Sequence, residues 1–79
     1  MKMNAFDARN TIRAHVNNWP VEDRPKDNSV FFGFDTENEQ VLKIEVSDRE
    51  PIPADVTPGY LFRVDFDAVG LTFEIVLIS

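Results

Sequence analysis

Cysteine is missing from this 79-residue chain, and with it go disulfide staples, thiolate zinc ligation and iron–sulfur chemistry. Small domains often rely on those devices, so stability here must come from packing or from association. Histidine is nearly missing too. His15 is the only one, and the serines Ser29, Ser47 and Ser79 fall in loop stretches or at the end, so no nucleophile has a base beside it. None of the spacings GxGxxG, GxxxxGK[ST], HExxH or CxxC occurs, which leaves phosphate-cradling and zinc-hydrolase chemistry without residues. The longest apolar run, "IVLI" at 75–78, is far below the roughly 20 residues of a membrane span. "MKMNAFDARN" at the start carries no apolar h-region, so a cytoplasmic location is expected. Basic residues are outnumbered, 8 against 14 acidic ones, and the resulting net charge of −6 opposes binding to nucleic acid or to an anionic membrane. A partner steered by charge would itself be basic.

What is present suffices for one small α+β domain covering residues 1–79. Seven Phe and one Trp supply bulky core material, which argues against wholesale disorder. Asn4 with Asp7 three residues on approximates a capping box, and Ala5, Ala8, Ile12, Val16 and Trp19 form one stripe at helical spacing. A helix over about 5–18 is predicted, ended by Pro20. The stretch 20–29, "PVEDRPKDNS", has two prolines, alternating charges and no apolar period, and reads as an exposed connection.

Two hairpins follow. In "SVFFGFD" and "VLKIEVSD" the apolar positions alternate, and placing Phe34 opposite Leu42, Phe32 opposite Ile44 and Val30 opposite Val46 puts all six on one face, with "TENEQ" as the loop. Residues 48–59 contain three prolines, close on Pro58-Gly59 and read as a long surface loop. Tyr60 to Phe66 and Leu71 to Leu77 form the second hairpin around a "DAVG" turn. Pairing Phe66 with Leu71 sets Val64 opposite Phe73, Phe62 opposite Ile75 and Arg63 opposite Glu74. The predicted architecture is one N-terminal helix on one face of a four-stranded antiparallel sheet, order αββββ, with Trp19, Phe62 and Phe73 in the core.

Candidate metal sites fail on inspection. "DTENE" spaces Asp35, Glu37 and Glu39 like calcium ligands, but the sixth loop position is Gln40 and the twelfth is Val46, so a solvated hairpin tip is expected. In "DFD", Asp67 should open a turn and Asp65 should face water. No cofactor, metal or catalytic residue is assigned, and the chain is expected not to be an enzyme. His15, near the border of the helix stripe, reads as a packing or surface histidine.

Binding remains. Phe6 lies about 130° from the stripe centre and should project beside the helix as a candidate anchor, unless it folds back over the sheet. Val76 and Ile78 should point away from the core and join Leu61 and Phe31 in an apolar patch on the uncovered side of the sheet, unless the N-terminal segment or the loop at 48–59 folds over that face, with the fourth strand a docking edge if it lies outermost rather than central and already paired. Glu37 and Glu39 add an acidic tip, and Glu22, Asp23, Asp27, Asp48, Glu50 and Asp55 further carboxylates. The expected function is a small acidic protein-binding domain, of the inhibitor or regulator type that phages and mobile elements encode, a comparison resting on size and charge alone. A self-associating structural subunit or homodimer, an acidic mimic of DNA, and a small enzyme or enzyme accessory subunit are the alternatives, in that order.

Overall fold

The computed structural model describes residues 3–46 and 59–78. Asn4 starts the helix through its side-chain oxygen, which accepts the Asp7 N–H at 2.8 Å, and α1 then runs over Ala5–Asn17. Ala8, Ile12 and Val16 are fully closed from solvent, and Trp19 is half-buried beyond the last turn. The Asn18 N–H bonds to the Ala14 carbonyl and the Trp19 N–H to the Val16 carbonyl, after which Pro20 turns the chain away.

Four strands, β1 (Ser29–Asp35), β2 (Gln40–Val46), β3 (Gly59–Phe66) and β4 (Phe73–Leu77), form one antiparallel sheet in the order β2-β1-β3-β4. The α+β arrangement is the expected one. The strand order makes β1 and β3 central and leaves β2 and β4 as the two edges. Since β2 and β3 both run antiparallel to β1, they are parallel to each other, and such a pair needs a long connection. Residues 47–58 supply it. The loop predicted over 48–59, with Asp48, Glu50 and Asp55, therefore lies outside the described residues apart from Gly59, which begins β3.

The core sits between α1 and one face of the sheet. Val30, Phe32, Phe34, Phe62, Val64, Phe66 and Ile75 close against Ala8, Ile12 and Val16, with Met3, Trp19, Val41, Tyr60 and Phe73 packed around them. Trp19 stands edge-on to Phe32 and Phe66, with ring centroids at 6.4 and 5.7 Å. Each fully buried Phe contributes about 1.5–3 kcal/mol relative to an exposed one, so the rings of β1 and β3 dominate the core.

Both hairpin registers differ from the predicted ones. In the first, Val30 does face Val46, but a bulge between Phe31 and Phe32 shifts the rest, so that Phe32 faces Lys43, Gly33 faces Leu42 and Phe34 faces Val41. Ile44 is the inserted residue, and Leu42 moves off the helix face to stand 40% exposed. In the second, the slip is two residues: Phe66 faces Phe73, Asp65 faces Glu74, Val64 faces Ile75, Arg63 faces Val76 and Phe62 faces Leu77. An even slip keeps every side chain on its predicted face. Asp67 explains the longer turn. Its carboxylate accepts the N–H groups of Val69, Leu71 and Thr72 and the Thr72 hydroxyl, and Gly70 takes φ 76°, holding six residues where four were expected. Leu71 is consequently in the turn and 63% exposed rather than in the core.

The segment 20–29 is more than an exposed connection. It holds a single 3-10 turn, Val21–Asp23, followed by Arg24, which is only 8% exposed. The Arg24 guanidinium donates to the carbonyls of Trp19 (3.0 Å), Gly70 (3.0 Å) and Val16 (3.2 Å), tying the end of α1 to the β3–β4 turn. Helix C-terminal carbonyls carry partial negative charge, so a cation is favoured at this point.

Candidate functional site

The predicted site residues do not form one surface. Phe31 and Leu61 are 1% and 2% exposed, so the apolar patch expected on the face opposite α1 does not reach solvent there. The face of the sheet away from α1 is thus closed at its centre rather than open. Phe31 and Leu61 belong to the two central strands, and β1 is buried along its length on both faces. The run "VFFGF" already carried that signal, because a strand covered on both faces reads as continuous apolar sequence. Val76 and Ile78 are half-buried, Phe6 is 70% exposed and clear of the core, and Glu37 and Glu39 are exposed at the β1–β2 tip. At that tip the Asp35 carboxylate accepts the N–H groups of Glu37 and Asn38 and the Asn38 side-chain amide, and the Asn38 bonds hold its pKa below the ordinary aspartate value.

What the fold does expose is the outer edge of β4. The Ile78 N–H donates to the Leu61 carbonyl at 2.8 Å and the Thr72 carbonyl accepts the Asp67 N–H, so the even-numbered residues between them turn their backbone groups toward β3. Phe73, Ile75 and Leu77 direct theirs outward, where no described strand meets them. The strand has no proline, no bulge and no lysine. Its side chains offer two chemistries: Phe73, Ile75 and the 40%-exposed Leu77 toward the helix side, and Glu74, Val76 and Ile78 on the other.

The two edges are not equivalent. On β2 the bulge breaks the ladder, and the edge strand carries a charged side chain, Lys43, turned inward on the helix face; both are devices that discourage strand addition. Lys43 also stands 5.0 Å over the Trp19 ring. Together with His15, Asn18, Pro20 and Phe32 these two side chains line a groove of about 370 Å³ at the end of α1. His15 meets Phe32 edge-on at 5.5 Å, as a border histidine should.

Electrostatically the β4 side is acidic. Asp65, Asp67 and Glu74, with Phe66, Thr72 and Phe73, surround a hollow of about 310 Å³ at the upstream end of β4. Burial tends to raise the Asp65 pKa, but the Ser29 hydroxyl at 2.5 Å and the Arg63 guanidinium at 2.8 Å outweigh it and hold the group below its ordinary value. Thr72 does the same for Asp67, helped by the turn N–H groups against slight desolvation. Asp65 and Asp67 are therefore anionic at neutral pH. The nearby cations are occupied: Arg63 pairs with Asp65, Lys26 reaches the carbonyls of the 3-10 turn, and Arg24 is buried on three carbonyls. Among the described residues no cluster of His, Asp and Glu could hold a metal ion, and no helix is long and apolar enough to cross a membrane.

No family model, curated protein or solved structure matches this chain. The β2 bulge, the buried Arg24 and the groove beside Trp19 were not found by sequence reasoning. Lys43 gave no sign of the bulge, since it falls with Glu45 on the polar positions of the alternation.

Proposed function

We propose that this chain is a protein-binding domain that accepts an extended, basic segment of another protein as a fifth strand on the free edge of β4. The carrying observation is the asymmetry of the edges, in which β2 has a bulge and an inward lysine while no described strand pairs with the outward backbone groups of Phe73, Ile75 and Leu77 on β4. Charge supports a basic occupant. Glu74 stands exposed at the second position of the strand, beside Asp65 and Asp67, in a chain of net charge −6. The segment favoured is apolar at alternate positions, to extend the row of Phe73, Ile75 and Leu77, and carries Lys or Arg opposite Glu74. Holding such a strand would make the domain a regulator or inhibitor of the protein that supplies it.

The test uses capped hexapeptides alternating Val with Lys or Val with Glu, titrated while backbone amide shifts are followed. The Val/Lys peptide is expected to move the amides of 73–77 and not those of β2, and to weaken as salt rises. Leu77→Pro should abolish the response while the fold persists, because the N–H it removes points away from β3 and proline is tolerated at such an edge. A response confined to β2, or equal binding of the Val/Glu peptide, refutes the reading. A concentration-dependent doubling of mass by light scattering that Leu77→Pro removes would assign the edge to a second copy instead.

A further inference from the structure

A second surface, remote from β4 in the sheet order, has its own chemistry. The groove at the end of α1 is lined by His15, Asn18, Trp19, Pro20, Phe32 and Lys43, and not one of them is a carboxylate. In a chain with 14 acidic residues against 8 Lys and Arg, that is the reverse of the general surface. Phe32, closed from solvent, forms its floor and Trp19 one half-buried wall. The Lys43 ammonium is parked 5.0 Å over the Trp19 ring, which narrows the conformations of a long side chain before any ligand arrives. No described carboxylate pairs with it. Asn18, exposed at the rim, adds an amide that can donate. Concave shape, aromatic walls and a few convergent polar groups are the ordinary make-up of a small-molecule site.

We infer that the groove between the C-terminal end of α1 and the β2 edge binds a small aromatic carboxylate. The ring of the ligand packs against Trp19 and Pro20, and its carboxylate meets the Lys43 ammonium at the rim. Positive charge beside an aromatic surface selects this class over amines, which Lys43 repels, and over neutral aromatics, which leave it unpaired.

Trp19 is the only tryptophan, so its fluorescence and its indole N–H resonance report on the groove directly. Phenylacetate is the probe, with phenylacetamide and benzylamine as neutral and cationic controls. Saturable binding of phenylacetate is expected, with a Kd on the order of 1 mM for so small a ligand. Phenylacetamide should bind at least about fivefold more weakly and benzylamine not at all, one exposed ion pair being worth roughly 1 kcal/mol. Lys43→Met, which keeps the stem over Trp19, should remove the preference for the anion, and His15→Gln should change the Trp19 response with the fold intact. Equal binding of phenylacetate and phenylacetamide, an unchanged preference in Lys43→Met, or shifts confined to β4 overturns the assignment. So does a response to a Glu-rich peptide with none to phenylacetate, which would make the groove an acidic-peptide site. The β4 reading is untouched by either result, since its peptides and its Leu77→Pro variant act at the other edge.

Discussion

Arg24→Met replaces the buried guanidinium by a side chain of similar length with no donor. Three hydrogen bonds disappear, to the carbonyls of Val16, Trp19 and Gly70. The Val16 carbonyl keeps the Trp19 N–H, whereas the other two lose the guanidinium donors. A hydrogen bond from a charged donor contributes about 1.5–3 kcal/mol, and the desolvation cost of the guanidinium, removed along with it, offsets part of the sum. The net loss expected is about 3 kcal/mol, against a total of about 4–12 kcal/mol for a chain of 79 residues at 0.05–0.15 kcal/mol per residue. Urea denaturation followed by Trp19 fluorescence measures it, and Trp19 reports locally because its own carbonyl is one of the acceptors. Arg24→Lys is the sharper variant. It keeps the charge, but a single ammonium does not span three carbonyls, so it should recover less than half of the loss. Because Gly70 lies in the β3–β4 turn, amide exchange along β4 should also quicken in both variants. An Arg24→Met midpoint corresponding to less than about 0.5 kcal/mol of destabilisation, the range of ordinary surface changes, would refute the reasoning.

Phe62→Ala, at a position with no exposure, should cost about 3–5 kcal/mol and leave little folded protein, whereas half-buried Phe73 should cost roughly half as much; equal losses by calorimetry would contradict the packing described. Asp35, Asp65 and Asp67 all titrate below the ordinary 3.8 in the folded state, so the stability they contribute is present above that value and is lost as pH falls through their lowered values. Melting temperature should therefore hold from neutral pH to about pH 4 and drop below it, and Asp67→Asn should flatten the drop; a fall beginning above pH 5 would assign acid sensitivity to other groups.

How much of this was legible in the sequence depends on range. The helix was, because an N-cap, a period of 3.6 and a following proline are all local, and Asn4, Ile12 and Pro20 act as read. Strand positions were legible for the same reason. Register was not, since "TENEQ" and "DAVG" permit several closures and the choice is made by contacts absent from the alternation: Asp67 collecting four donors in the longer turn, and a bulge that turns Lys43 toward Trp19. Phe6 stands clear of the helix stripe as its position implied, and the β4 edge was read only on the condition that this strand lies outermost, while Phe31 and Leu61 were placed in solvent because alternation was given more weight than the continuous apolar run. Arg24 was hidden by its neighbours. A charge between two prolines looks like loop until three carbonyls from 16, 19 and 70 converge on it.

The exposed edge raises the question of why β4 should wait for a foreign strand rather than pair with a second copy of itself. Odd-numbered residues carry the outward backbone groups, so a symmetric antiparallel pair must centre on Glu74, Ile75 or Val76. Centred on Glu74, the two carboxylates face each other directly. Centred on Ile75, Phe73 meets Leu77 favourably, but the two Glu74 side chains become diagonal neighbours at about 7–8 Å. Centred on Val76 the carboxylates separate, yet Phe73 is left without a partner inside the strand. Each arrangement also brings together two chains of charge −6. A basic strand from another protein meets none of these obstacles in any register, and the carboxylate that repels a second copy is the one that attracts it. On the proposed reading, Glu74 would discourage a second copy and favour a basic strand, the combination by which a specific binding edge would differ from an aggregating one.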